Sequence, residues 1–475
     1  MNTLTTSTGQ SITLLHCIAS SGEGEVWQTQ LDQSLAKIYH APTPARMAKL
    51  QVMIAHPPGD PNAKLSHISF AWPQSLLYDA SGRAVGFLMP KIADSVDLLS
   101  VYNPQQRQKV LPGFDWRYLH VTAANIASIV AAIHRAGYVI GDIKPQNILV
   151  NNRALPAIID TDSFQVRDPA NGVLYRCLVG SEGFTPPELL GKDLEYVEQT
   201  PEHDRFRLAV IIYLLLFGDY PFKGKWIGTG DSPPPTDLLR QGWWAYAPNS
   251  LIQPGPLTIP LKVVHPELRR YFLRCFNPGH RQPELRPTPT EWLQALKLAI
   301  AELKPCRRVK LHHYSHAYGK CYWCERKAKL GLDIFPAPPT AMQRLIKQQR
   351  AKIYAAAQPL TVKLRRSRSK SSSLSQSMTG SLFPASMPPM PSSGQWQPYG
   401  GTLQAPLPRS LDWGKVGTAV GVIAIVAVVF GLLAFLSSSK MDAAEIQLTV
   451  VGIMLCLGLV GVGYFLLKVT EHHNL

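Results

Sequence analysis

The chain has 475 residues, 45% hydrophobic and 17% charged, with a net charge of +16, so it carries enough apolar material for a large core and about three domains. The charge excess is local: Lys304 to Lys370 holds seventeen Lys and Arg against two acidic residues, which argues against a broad nucleic-acid-binding surface elsewhere. Seven cysteines, odd in number and sparse, exclude a disulfide-dense secreted scaffold.

No Lys or Arg precedes Lys37, so the beginning lacks the basic region of a secretory signal and is expected to stay in the cytoplasm. Short strands are predicted at Ser11–Ala19, Glu25–Gln30 and Ser34–Tyr39, a helix at Pro44–Ala55, and further strands at His67–Trp72 and Ala84–Met89. From Trp116 to Ala136 apolar residues at Ile126, Ile129, Val130 and Ile133 follow helical spacing, and the segments around Leu208 and Trp292 are helical too. The run Leu208–Phe217 lies between Arg207 and Asp219 and is too short to span a bilayer, so it reads as a buried helix. The expected fold class is α+β, with a small β-rich lobe followed by a larger α-rich lobe.

Several polar constellations are set into these elements. Ala19 to Val26 includes Gly22 and Gly24, and Lys37 follows in a strand thirteen residues after Gly24. His134 to Val150 contains Asp142, Lys144 and Asn147 in D-x-K-x-x-N spacing. A carboxylate can orient a hydroxyl proton, a lysine can stabilise a transferring phosphoryl group, and an amide oxygen can hold a hard cation. Asp160 and Asp162 come after the apolar Ile158-Ile159 pair. Later come Gly180 to Glu188, Asp204, Tyr220-Pro221-Phe222 and Leu285-Arg286-Pro287.

Taken in order from Ser11 to Leu303, these motifs resemble the protein kinase superfamily. The resemblance implies a bilobal fold that binds ATP with Mg²⁺ or Mn²⁺ and acts on a protein substrate. Gly22, Gly24 and Val26 would cover the phosphates, and Lys37 would neutralise them. Asp142 and Lys144 would be catalytic. Asn147 and Asp160 would hold the metal; Asp160 stands thirteen residues after Asn147, and Asp162 is the alternative. Glu188 would pair with Arg286 and Asp204 would brace the catalytic loop, both architecturally. Lys144 and the Gly180–Glu188 pattern imply Ser or Thr as acceptor.

The departures are specific. Ala19 and Ser21 replace the first two glycines of the phosphate-covering loop. No acidic residue occurs between Asp32 and Asp60, where the family's lysine partner is expected, and Ile140-Gly141 replaces His-Arg. The missing arginine removes the usual dock for a phosphorylated activation loop. The competing reading is a pseudokinase scaffold that binds nucleotide or a partner without catalysis.

Beyond Leu303, Cys306, His312, Cys321 and Cys324 supply the four N/S ligands that tetrahedral zinc prefers. His313 and His316 are alternatives to His312, and the site reads as structural, with no carboxylate partner evident. Cys17, Cys177, Cys275 and Cys456 read as packing thiols. The expected domains are 11–303 kinase-like, 304–330 zinc knuckle, 331–412 a basic and then Ser/Pro-rich disordered linker, and 413–475 a transmembrane hairpin. Its spans, 416–436 and 446–467, are each about 20 apolar residues. Arg409, Lys415 and Lys468 on the outer flanks predict a multi-pass protein of the cell membrane with both termini, kinase region and zinc motif cytoplasmic. The basic linker can attract anionic lipid, and its serines at 367, 369 and 371 to 373 are candidate phosphate acceptors. No specific nucleic-acid partner is expected; an adaptor working through the knuckle and basic linker is the third reading.

Overall fold

The computed structural model describes residues 3–337. Most of the linker, both apolar runs, the candidate phosphate-acceptor serines and Cys456 lie outside the described residues. Among the described residues no helix is long and apolar enough to cross a membrane.

Six strands build the small lobe: β1 (Thr3–Thr6), β2 (Ser11–Ser20), β3 (Gly24–Thr29), β4 (Ser34–Tyr39), β5 (Ser75–Tyr78) and β6 (Ala84–Pro90). All pair antiparallel in the order β1-β2-β3-β4-β6-β5, and β1 pairs with β5 to close the sheet. Inside lies a small apolar cluster of Leu4, Ile12, Leu14, Ala36, Leu77, Val85 and Leu88. Helix α1 (Pro44–Ala55) occupies the predicted range. Thr43 caps it by accepting from the Arg46 amide at 3.2 Å, and Pro44 at the first position has no amide to leave unpaired.

The predicted strand at His67–Trp72 does not form as one. Ser69 and Ala71 exchange backbone hydrogen bonds with Ile158 alone, a single bridge through Phe70. This segment therefore ties the small lobe to the large one.

The large lobe follows β7 (Ser95–Asp97), α2 (Leu98–Tyr102) and α3 (Pro104–Val110). Its central helices are α4 (Trp116–Arg135) and α5 (Pro201–Phe217), surrounded by α6 (Pro235–Gln241), α7 (Pro266–Phe276), α8 (Pro278–Arg281) and α9 (Pro289–Glu302). Asp115 caps α4 by accepting from the Tyr118 amide. Every residue from Leu208 to Phe217 is buried, as expected of an apolar helix too short for a bilayer. Between α4 and α5 the hairpin β8 (Ile148–Asn151) and β9 (Pro156–Ile158) pairs Ile148 with Ile158, which brings Asn147 and Asp160 to the same end. After α9, Leu303–Pro305 pairs with His313–Ser315, and α10 (Tyr322–Leu330) closes the described chain's last motif.

Candidate active site and metal centre

Lys37 is paired across β4 with Val26 on β3 and Phe87 on β6. Strand alternation sends Lys37 and Tyr39 to one face, while Ala36 enters the barrel core. The loop ahead of β3 is a tight turn, because the Ser21 amide and hydroxyl both donate to the Gly24 carbonyl, at 2.9 and 3.1 Å. A Cβ on Gly24 would stand 2.2 Å from the Ile38 carbonyl oxygen, so close strand approach requires glycine there. Around Gly22 there is open space.

The Lys37 ammonium is buried and engaged by two carboxylates. It donates to Asp160 Oδ1 at 2.8 Å and to Asp162 Oδ1 and Oδ2 at 2.8 and 2.7 Å. Burial alone would lower its pKa, but Asp162 and Asp160 raise it above the ordinary lysine value. Burial would likewise raise Asp162, yet the Lys37 charge and hydrogen bonds from Lys37 and Tyr39 hold it below the ordinary carboxylate range. The Tyr39 hydroxyl donates to Asp162 at 2.6 Å. Asp160 itself has φ +60°, ψ +38°, the left-handed region, at the entry to a turn of 3₁₀ helix over Thr161–Ser163.

The catalytic-loop candidates come together at the C-terminal end of α4. Asp204 on α5 accepts from the Ile140 and Gly141 amides at 2.7 and 3.0 Å and lies 3.0 Å from His134 Nε2. Burial pushes its carboxyl up, but these donors and Arg207 bring it below the usual range. Gly141 has φ +78°, and a Cβ there would fall 2.6 Å from Cys177 Sγ. The glycine that replaces the family's arginine thus makes room for Cys177, a buried thiol that the sequence did not connect to this loop. Nearby, the Arg207 guanidinium donates to Gln199 at 2.7 Å and lies 3.3 Å from Asp204, filling the same corner with an internal cation.

Asp142 is buried, and neither of its carboxylate oxygens has a hydrogen-bond partner. Lys144 Nζ stands 2.5 Å from Oδ2 as an ion pair without hydrogen-bond angles. Asn147 spends its amide nitrogen on the Asp142 carbonyl at 3.1 Å, leaving its side-chain oxygen as an acceptor. That oxygen and the Asp160 carboxylate are hard oxygen donors of the kind Mg²⁺ or Mn²⁺ takes, so the residues fit the cation the resemblance implies. Farther out, Arg286 grips Glu188 through two bonds of 2.6 and 2.7 Å.

The second constellation is soft. One ligand atom from each of Cys306, His312, Cys321 and Cys324 lies within 4.8 Å of the others. Cys306 Sγ is 3.6 Å from Cys324 Sγ, and His312 Nδ1 is 3.6 and 3.5 Å from Cys321 and Cys324 Sγ. Around tetrahedral zinc, thiolates at about 2.3 Å and an imidazole at about 2.0 Å would stand roughly 3.5–3.8 Å apart, so the donors fit. His312 Nε2 faces Asp333 Oδ1 at 3.0 Å, a carboxylate partner the sequence did not reveal; it fixes the tautomer with Nδ1 toward the sulfurs. His313 turns the other way, with Nδ1 2.9 Å from Asp115, and joins the lobe instead. Trp323 wedges between Trp116 and Phe335, with ring centroids at 5.1 and 4.8 Å, and its indole donates to the His313 carbonyl. Of the four cysteines read as packing thiols, Cys177 and Cys275 are buried, but Cys17 is exposed at an irregular stretch of β2.

Residues 92–231 match the protein kinase domain family. The protein kinase YegI of Escherichia coli O157:H7 is 34% identical over 331 residues, covering 68% of this chain and 50% of that protein. YegI of Escherichia coli strain K12 is 34% identical over 328 residues, with 67% and 49% covered. The chain belongs to the protein kinase superfamily. It spans about half the length of these curated relatives. The serine/threonine-protein kinase GRIK1 of Arabidopsis thaliana is 27% identical over 199 residues, 42% of this chain and 40% of that protein. The kinase resemblance drawn from the motifs and the family match thus agree.

Proposed function

We propose that the protein is a membrane-anchored serine/threonine kinase that transfers the γ-phosphoryl group of ATP to a protein hydroxyl. The observation that carries the reading is the set of contacts among the motif residues: Lys37 on Asp160, Lys144 paired with the buried Asp142 carboxylate, and the Asn147 amide on the Asp142 carbonyl. In the reaction the acceptor oxygen bonds to the γ-phosphorus as the bond to the β–γ bridging oxygen breaks, and Asp142 orients and accepts the hydroxyl proton. Lys144 and Lys37 offset the phosphate charge. A divalent cation held by Asn147 and Asp160 would screen the β- and γ-phosphates.

The pseudokinase alternative draws on one observation: Lys37 is fully occupied by Asp160 and Asp162, so nucleotide phosphates must compete for it. Zinc at Cys306, His312, Cys321 and Cys324 is proposed as structural, because its four protein ligands leave no open position. The apolar runs 416–436 and 446–467 support insertion in the cell membrane, with the kinase region cytoplasmic and the basic linker beside anionic lipid.

The test is phosphotransfer from labelled ATP by the full chain in lipid vesicles, wild type beside Asp142→Asn, with a basic protein as acceptor. The expected loss is about 10²–10⁴-fold. Equal transfer by both would remove Asp142 from the mechanism. No transfer by wild type that still binds ATP would favour the scaffold.

A further inference from the structure

We propose that Asp162 is the carboxylate that holds Lys37 in its working position, leaving Asp160 to face metal and nucleotide. Asp162 then takes the place of the helix acid that α1 lacks. The inference rests on the kinase reading above and concerns the same site.

The geometry separates the two aspartates. The Asp162 side chain is 5% exposed and takes two of the three Lys37 bonds; that of Asp160 is 35% exposed and takes one, through Oδ1. Asp162 is fixed further by Tyr39, which projects from the same face of β4 as Lys37. Its turn is anchored on both sides: the Thr161 hydroxyl donates to the Ala71 carbonyl at 2.8 Å and the Ser163 hydroxyl to the Asp160 carbonyl at 2.8 Å. With Asp162 bound through both oxygens, the buried ammonium stays paired and in place while Asp160 is exchanged for phosphate, and an unpaired buried charge never arises on the way.

Helix α1 cannot supply that carboxylate. It contains no acidic residue. The ionisable residue buried on it is a cation, Lys49, 8% exposed and without a hydrogen bond or ion pair among the described residues. Burial lowers the Lys49 pKa, with Cys177 and Asp162 opposing that effect. The usual arrangement of charges is therefore exchanged: the helix carries the cation and the turn two residues beyond Asp160 carries the anion. Glu23 also approaches Lys37, but at 3.8 Å and from an exposed loop. The lysine clamp and the metal-facing carboxylate are thus built into one short turn, and they assemble without an inward movement of α1.

Asp162 is a positioning residue on this account, so the readouts are nucleotide affinity and metal requirement, measured on the full chain in vesicles. At saturating Mg²⁺, Asp162→Asn should raise the Kd for a fluorescent ATP analogue and the KM for ATP about tenfold, the loss of charged hydrogen bonds to one cation. Its Mg²⁺ requirement should stay at the wild-type level, and Asp162→Glu should recover part of the affinity. Asp160→Asn should instead raise the Mg²⁺ concentration needed. Tyr39→Phe, which keeps both carboxylates, should weaken ATP binding about two- to fivefold, and it stands as the test if Asp162→Asn fails to fold. ATP affinity within twofold of wild type in Asp162→Asn, or in Tyr39→Phe if that variant must stand in, overturns the proposal. So does a defect in Asp162→Asn that added Mg²⁺ cures. If wild type binds ATP without transferring phosphate, the kinase reading falls, while loss of ATP affinity in Asp162→Asn would still carry this one.

Discussion

The nucleotide-facing cleft and the Cys/His knuckle solve opposite electrostatic problems. In the cleft the chain brings its own counter-charges: Lys37 meets Asp160 and Asp162, and Lys144 meets Asp142, while farther out Arg286 meets Glu188. The cluster can fold before any ligand arrives. In the knuckle, three thiols and an imidazole converge, and burial pushes the Cys321 thiol up to about 12. Four such donors hold together as ligands only when a metal takes up the charge of the thiolates. On the proposed reading the first region is preformed for exchange with a ligand, and the second would be completed by one.

The comparison breaks most visibly at the metal. Structural zinc contributes about 10–16 kcal/mol of binding free energy that is also folding free energy, so Cys321→Ser with Cys324→Ser should abolish one equivalent of bound zinc. Trp323 would lose its seat between Trp116 and Phe335. Zinc content and a red shift of tryptophan emission report the two events, and retention of stoichiometric zinc by the double variant would sink the ligand set. A chelator should act the same way on the wild type.

The next effect tests a pair that the chain completes for itself. Arg286 is fully buried, holds Glu188 by two bonds, and donates to the Gly279 and Glu202 carbonyls at 2.7 and 3.1 Å. Arg286→Met leaves those acceptors uncompensated and should cost about 3–5 kcal/mol, measured as a lowered urea midpoint. Adding Glu188→Met should return part of that stability, since replacing both partners removes the orphaned charge. A single variant as stable as wild type would mean that the pair carries no architectural load.

What could be read in advance was whatever linear spacing encodes. The D-x-K-x-x-N spacing of Asp142, Lys144 and Asn147, the C-x-x-C of Cys321 and Cys324, and the limits of α1 all lie within one local segment, where helix period and turn length fix the geometry. The Lys37–Asp162 clamp joins residues 125 apart in the chain, and choosing between Asp160 and Asp162 needed their exposure, which no local pattern contains. Asp333 and Cys177 escaped for the same reason: each acts through a neighbour brought close only by the tertiary fold. His67–Trp72 failed differently. Its apolar alternation is real, but its backbone partners lie on β9 and satisfy a single bridge.

The smallest effect sits where the two regions meet. His120 on α4 is fully buried, holds the Trp116 carbonyl through Nδ1 at 2.8 Å, and packs edge-on to the Trp116 ring whose other neighbour is Trp323. Burial lowers its pKa from 6.5 to about 4, with the Trp116 carbonyl and Asp115 opposing the shift and His265 adding to it. The folded protein thus requires neutral imidazole. The unfolded chain binds the extra proton first, so the contribution is fully present above pH 6.5 and is lost as pH falls toward 4. The slope is at most about 1.4 kcal/mol per pH unit. His120→Gln keeps a side-chain donor for the carbonyl and removes the titration, so its stability should fall less steeply than wild type between pH 6.5 and 4. Identical slopes from urea unfolding at four pH values would show that the α4–knuckle junction is indifferent to protons. A difference confined to this window would tie acid sensitivity to the packing that joins the Cys/His motif to the lobe.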